Sequence, residues 1–451
     1  MWIMGLRDMF QESLGTISRS TFTLSSGEYA TFYDVVLRHL GGLLSAYALS
    51  GEPMLLTRAD DLGKLVLPAF NSTSGVPMLA VGLPSGRASM KGKTDLSWSD
   101  IMSNQMELKY LAHITGRPEY YNKTETVMAK VFQTKTSHGM PPTMWDPNTG
   151  APSNGHYSTG EHAHSALHYL LKQWMLTARS DTRSLELYLK SVNYIINNLL
   201  FITRKRQLLY VTDILDGEPT HRFEHLSCSL PGLLALGVHT LGLSLPLHKR
   251  ELHLWAAQGL ASTCWMTYQD QISGLGPEEV QMEPWLSPTG ETLGRWMAHV
   301  AEWEKNGKKG DGPPGTKQTV KYEASPSERE YVALRAWYLL KPEVVESFYI
   351  LWKSTKNPLW RDRGWAIYEA IEEQTKTQYG YAGILQVDQI PTPMKDEMPS
   401  HFLAETLKYL YLLCTNEDPV PLNAWVFNAK GHPLPVFEWS KWEKTNFNMV
   451  I

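Results

Sequence analysis

The chain has 451 residues, 43% of them hydrophobic and 20% charged, with a formal net charge of −4. A pI near 6.4 offers no field for nucleic acid or an anionic membrane surface, and those partners are excluded as the basis of function. The length requires either several domains or one large ring-like or stacked architecture, and 16 Trp with 21 Tyr suit broad concave surfaces where sugars or other ring-bearing ligands stack.

At the N-terminus, MWIMGLRDMF is amphipathic, and Arg7 with Asp8 breaks the apolar run before it reaches signal-peptide length. No uninterrupted run of 18 apolar residues follows, so neither membrane insertion nor an obvious signal is expected. A cytoplasmic location is the resulting expectation for the chain as given, with the endoplasmic reticulum or Golgi the expectation for a chain truncated at its N-terminus. The sequons at Asn71 and Asn122 matter only in the second case.

A junction then recurs along the chain: a small polar turn, a proline, and an amphipathic segment of about four turns. It reads LSGEPMLLTRADDLGKLV from Leu49, ITGRPEYYNKTETVMAKV from Ile114 and STKNPLWRDRGWAIYEAI from Ser354. Weaker copies start at Thr177 and Leu241 without proline at that offset. The spacing is roughly 64 residues, or about twice that before the last copy. Each unit predicts a helical hairpin that cannot bury its apolar face alone, so neighbours must stack; a closed ring of at least six hairpins without a central sheet is expected. Strand signals are confined to 206–215 and 381–387. The Lys-, Gly- and Pro-rich stretch 305–328 reads as a flexible insertion within a single domain spanning 1–451. Cys228, Cys264 and Cys414, in apolar surroundings, read as buried thiols.

Five regions carry a family pattern in order: YDVVLRHLGGLLSAYALSG (33–51), STGEHAHSALHYLLKQW (158–174), FEHLSCSLPGLLALG (223–237), LLKPEVVES (339–347), and KDEMPSHFLAETLKYLYLL (395–413) with VFNAKGHPLPV (426–436). They resemble glycoside hydrolase family 47, the class I α-1,2-mannosidases. The resemblance implies an all-α, toroidal (α/α) barrel of about six to seven helical hairpins, (α/α)7-like. The chain starts inside what resembles the second helix of that ring, which leaves the first helix absent as expected from the sequence. The implied activity is inverting hydrolysis of α-1,2-linked mannose or a related glycoside, in N-glycan processing, by a monomer acting on an oligosaccharide or small-molecule substrate.

Inverting hydrolysis needs one carboxylic acid to protonate the leaving oxygen and one carboxylate to activate water. By the resemblance, Asp34 takes the acid position with Arg38 one turn later, Glu224 takes the place of an Asp before the HLxC pattern, and Glu343 is the candidate base. Glu346 matches a second carboxylate of that segment, and Lys341 replaces an Arg that suits sugar hydroxyls. His164 and His168 replace two acids that help hold the sugar. With His162 they also admit a transition-metal reading, for which no third ligand is evident.

The family's calcium is held by the Thr of FNTEAHP, where this chain has Ala429, followed by Lys430 in place of a carboxylate. No cofactor is therefore expected, and Lys430 is expected to substitute for the missing charge by pairing with Glu343 or Glu346. The family's disulfide is expected to be missing, because no cysteine lies between Cys264 and Cys414. Two other readings compete: a metal-independent acid-base enzyme of secondary metabolism, of isomerase or cyclase type, and a non-catalytic glycan-binding protein.

Overall fold

The computed structural model describes residues 1–449 except Pro84, Lys135, Ser137, His138, Asp311 and 317–324. All five copies of the junction fall on turns between helices. They join α1 (Gly41–Ser50) to α2 (Pro53–Val66), α3 (Gln105–Thr115) to α4 (Pro118–Gln133), and α5 (His164–Leu176) to α6 (Thr182–Tyr194). Further on they join α7 (Leu230–Leu241) to α8 (Leu247–Gln269) and α9 (Glu343–Thr355) to α10 (Leu359–Gln374). The local chemistry explains these turns. Gly51 and Gly116 end α1 and α3 in the left-handed conformation at φ 73° and 68°, while Pro53 and Pro118 start the next helix where their missing N–H costs nothing.

Two compact units result, one formed by Met1–Gly155, Ser165–Leu189 and Asp418–Ile451, the other by His156–His164 and Lys190–Glu417. In the first, α1 packs on α2, and α3 packs on α2 and α4, burying Leu44, Leu62, Leu111 and Val127 completely or nearly so. In the second, α7 packs on α8 and α9, and α9 packs on α10 and on α11 (Leu407–Cys414), burying Leu233, Leu260, Phe348, Ile367 and Leu413. Each such side chain contributes about 2 kcal/mol relative to exposure.

Strands are short, and every pair among the described residues is antiparallel, as expected for a fold without a sheet core. The two strand signals are met by Leu209–Val211, paired with Leu200–Ile202, and by Gly383–Ile384, paired with Met394–Lys395. Two small sheets matter for function. One holds β1 (Arg222–Glu224), β2 (Glu279–Met282) and β3 (Tyr331–Arg335); the other is the hairpin of β4 (Trp425–Phe427) and β5 (Pro433–Pro435). The insertion expected at 305–328 lies partly outside the described residues, at Asp311 and 317–324. Lys305 closes the helix Trp296–Lys305, and Pro326–Glu328 form a 3-10 turn.

The helical run His225–Ser244 is long and apolar enough to cross a membrane by length and composition. Its most apolar window is 67% buried inside the structure, because α7 lies between α8 and α9.

Two cysteine expectations are corrected. Cys228 and Cys264 form a disulfide, since the turn preceding α7 and the middle of α8 bring their Cα atoms to 6.0 Å. Only Cys414 is a free thiol among the described residues, and it is partly exposed.

Candidate active site

In the first unit, Asp34 ends a short helical turn, and a π-helical stretch, Val35–Leu40, follows before α1. Wider turns of this kind are frequent at functional sites. The Arg38 Nε donates to Asp34 Oδ1 at 2.8 Å, an i,i+4 pair that remains partly exposed. Lys430, between β4 and β5, sets its ammonium 5.6 Å from the centroid of the Tyr33 ring. His168 is buried in the second turn of α5, one turn beyond His164 at its start.

Glu107 belongs to this region and was not singled out from the sequence. It is fully buried in α3, and its Oε1 accepts from the Tyr169 hydroxyl and from Asn428 Nδ2, both at 2.7 Å. Its Oε2 finds no side-chain partner among the described residues. Burial pushes the carboxyl up to about 7 against the lowering effect of those two bonds. Asn428 also donates to Leu37 O at 3.0 Å and, through Oδ1, accepts the Lys430 and His432 N–H groups, so one amide fixes the hairpin tip. A Cβ at Gly41 would come within 2.6 Å of Asn428 Nδ2, which explains a glycine in that helix. The available signal was an acid within the helix-forming stretch QMELKYLA, between Met106 and Leu108.

In the second unit, Glu343 is the first residue of α9. Its Oε2 lies 2.9 Å from His225 Nδ1, and His225 Nε2 lies 2.6 Å from the Tyr268 hydroxyl. Burial alone would raise the Glu343 carboxyl. The hydrogen bond from His225 and the charges of His225 and Lys341 outweigh it and hold the group well below the ordinary carboxylate range. Lys341 pairs with Glu278 and feels Glu343 and Glu224 as well; these carboxylates raise its ammonium although burial opposes them.

Glu224 ends β1, and its Oε2 accepts the Glu161 N–H at 2.7 Å. Gly160 makes that approach possible, since a Cβ there would stand 2.2 Å from the same oxygen. Desolvation and then the charge of Asp213 push the Glu224 carboxyl up to about 7. The structure thus brings Glu224, Glu343 and Lys341 into one electrostatic group within this unit. Glu346, on the next turn of α9, hydrogen-bonds the Tyr409 hydroxyl of α11. The Cys228–Cys264 bond fastens the turn that carries His225.

At the position where the family's calcium-holding Thr stands, Ala429 has no side-chain oxygen, and Lys430 adds a cation next to it.

The chain is 31% identical over 441 residues to human mannosyl-oligosaccharide 1,2-alpha-mannosidase IC, covering 97% of this chain and 62% of that protein. It is 32% identical over 446 residues to the rat endoplasmic reticulum mannosyl-oligosaccharide 1,2-alpha-mannosidase, covering 98% and 61%. It therefore spans about three-fifths of the length of these relatives. Its fold matches that of an alpha-1,2-mannosidase from Trichoderma reesei with a TM-score of 0.83 at 24% identity, over 97% of this chain and 88% of that one. A cellobiose 2-epimerase from Spirochaeta thermophila shares the fold more loosely, with a TM-score of 0.54 at 12% identity, over 90% and 98%. The all-α, (α/α) barrel class that the resemblance implied is the class of the mannosidase fold it matches. The signature of Glycosyl hydrolase family 47 covers residues 1–436, and the chain belongs to that family.

Proposed function

We propose that residues 1–451 act as one catalytic domain, an inverting glycoside hydrolase that cleaves α-1,2-linked mannose or a related glycoside in an oligosaccharide. The observation that carries this reading is the contrast in surroundings of two carboxylates in one unit: Glu343 Oε2 lies 2.9 Å from His225 Nδ1, whereas Glu224 accepts only a backbone N–H from Glu161 among the hydrogen bonds of the described residues. Glu343 is held ionised by His225 and Lys341, as a base that activates water must be. Glu224, raised to about 7, retains a proton near neutrality, as a donor to the leaving oxygen must. Asp34, locked to Arg38, occupies the family's acid position and is the competing donor. Arg38, His164, His168, Lys341, Glu346 and Lys430 are proposed to contact the sugar, with altered selectivity because two histidines stand where the family has acids.

The reaction is proposed to run without resident calcium, with Lys430 supplying the positive charge. A mannosidase from the endoplasmic reticulum is among the relatives, and the Cys228–Cys264 bond favours an oxidising compartment, so a secretory-pathway location is part of this reading. Asn71 and Asn122 are both exposed and available for glycosylation there.

The test is release of mannose from α-1,2-mannobiose across pH by the wild type, Glu224→Gln and Asp34→Asn. A fall in rate above about pH 7 that disappears in Glu224→Gln assigns Glu224 as donor; its disappearance only in Asp34→Asn assigns Asp34. Absence of turnover with glycan binding retained would overturn the hydrolytic reading.

A further inference from the structure

A cavity of about 450 Å³ opens in the first unit beyond the C-terminal end of α5. Thr177 in its wall is about 13 Å along the helix axis from His168, so the cavity is separate from the residues considered above. Its volume is that of an ordinary small-ligand site.

Four charged side chains on its wall close into a ring. Lys109 Nζ lies 2.7 Å from Asp181 Oδ2 and 4.0 Å from Glu125 Oε1. Arg183 Nη2 lies 2.7 Å from Glu125 Oε2, and its Nε lies 3.7 Å from Asp181 Oδ1. Lys109 is buried, and its ammonium also donates to Gln173 Oε1 at 2.9 Å. Such a quartet costs desolvation, which its mutual attraction and hydrogen bonds must offset. All four line the cavity, Lys109 and Asp181 with little of their side chains exposed.

The remaining wall is aromatic. Tyr121 and Trp439 both line the cavity as an edge-to-face pair, their ring centroids 5.4 Å apart and their planes at 76°. Lys444 adds further donors.

We propose that this cavity binds a short neutral saccharide, as a second carbohydrate site apart from the Glu343 region. Within the ring two cations and two carboxylates cancel, so the ring itself selects no ion; Lys444, which also lines the cavity, adds one further positive charge. The ring presents fixed, alternating donors and acceptors, which matches vicinal hydroxyls that each donate and accept. The aromatic corner receives the C–H faces of a pyranose ring. The site stands whether or not the hydrolytic reading holds, because it shares no residue with it.

The experiment is a binding titration of the full chain with methyl α-D-mannopyranoside, read by saturation-transfer NMR, with mannose 6-phosphate as the charged comparison. Saturable binding of the neutral glycoside is expected, weakened roughly tenfold, about 1.4 kcal/mol, in Arg183→Met and about threefold in Trp439→Phe. Lys444→Ala, at a partly exposed position, gives the same direction should either variant fail to fold. Added salt should change the affinity little. No saturable binding, equal affinity in the variants, or binding of mannose 6-phosphate alone with loss at high salt would each overturn the proposal.

Discussion

Glu343 and His225 share a hydrogen bond of 2.9 Å, with Tyr268 holding the far nitrogen of the imidazole at 2.6 Å. The first residue of one helix thereby meets the turn before another, and a buried carboxylate keeps its charge. In His225→Ala the carboxyl should rise, so the acidic limb of kcat/KM against pH should move up by at least about one unit. Glu343 is depressed in the folded state, so its stabilisation is present above about pH 4 and is lost as pH falls through the folded value. The variant should therefore unfold at a higher pH in acid titration and lose about 3 kcal/mol at neutrality. An unmoved acidic limb would separate His225 from Glu343.

Glu107 behaves in the opposite sense. Its carboxyl is raised to about 7 chiefly by burial, so the native state binds more protons than the unfolded chain between about pH 4 and 7. Stability is full below that window and declines through it by about 3 kcal/mol. Urea unfolding at pH 5 and pH 8 should show this slope in the wild type and its absence in Glu107→Gln, which keeps an acceptor for Tyr169 and Asn428.

Chelation should leave turnover intact. Because Ala429 and Lys430 together remove a ligand and add a cation, the double change Ala429→Thr with Lys430→Glu should create calcium affinity detectable by calorimetry. Loss of wild-type activity in EDTA, restored by calcium, would sink the metal-free reading.

Cys228→Ser should lower unfolding stability by about 4 kcal/mol, since the bond closes a loop with a sequence separation of 36. Thiol reductant should reproduce the effect in the wild type and not add to it in the variant.

The sequence by itself determined the hairpins. Gly51, Gly116 and the prolines at 53 and 118 act through local backbone geometry, and the roughly 64-residue period states that the apolar faces must stack. Motif matching likewise located Glu224, Glu343 and the substituted Ala429, because those are statements about residue identity.

Tertiary structure alone decided what depends on neighbours distant in the chain. Cys228 and Cys264 read as thiols until α8 brought them to bonding distance. Glu107 looked like one acid among many until Tyr169 and Asn428, 62 and 321 residues away, enclosed it. The charges of Glu224 and Glu343 diverge for the same reason: the pKa of a carboxyl is set by the dielectric and the charges around it, and folding assembles both from separate segments.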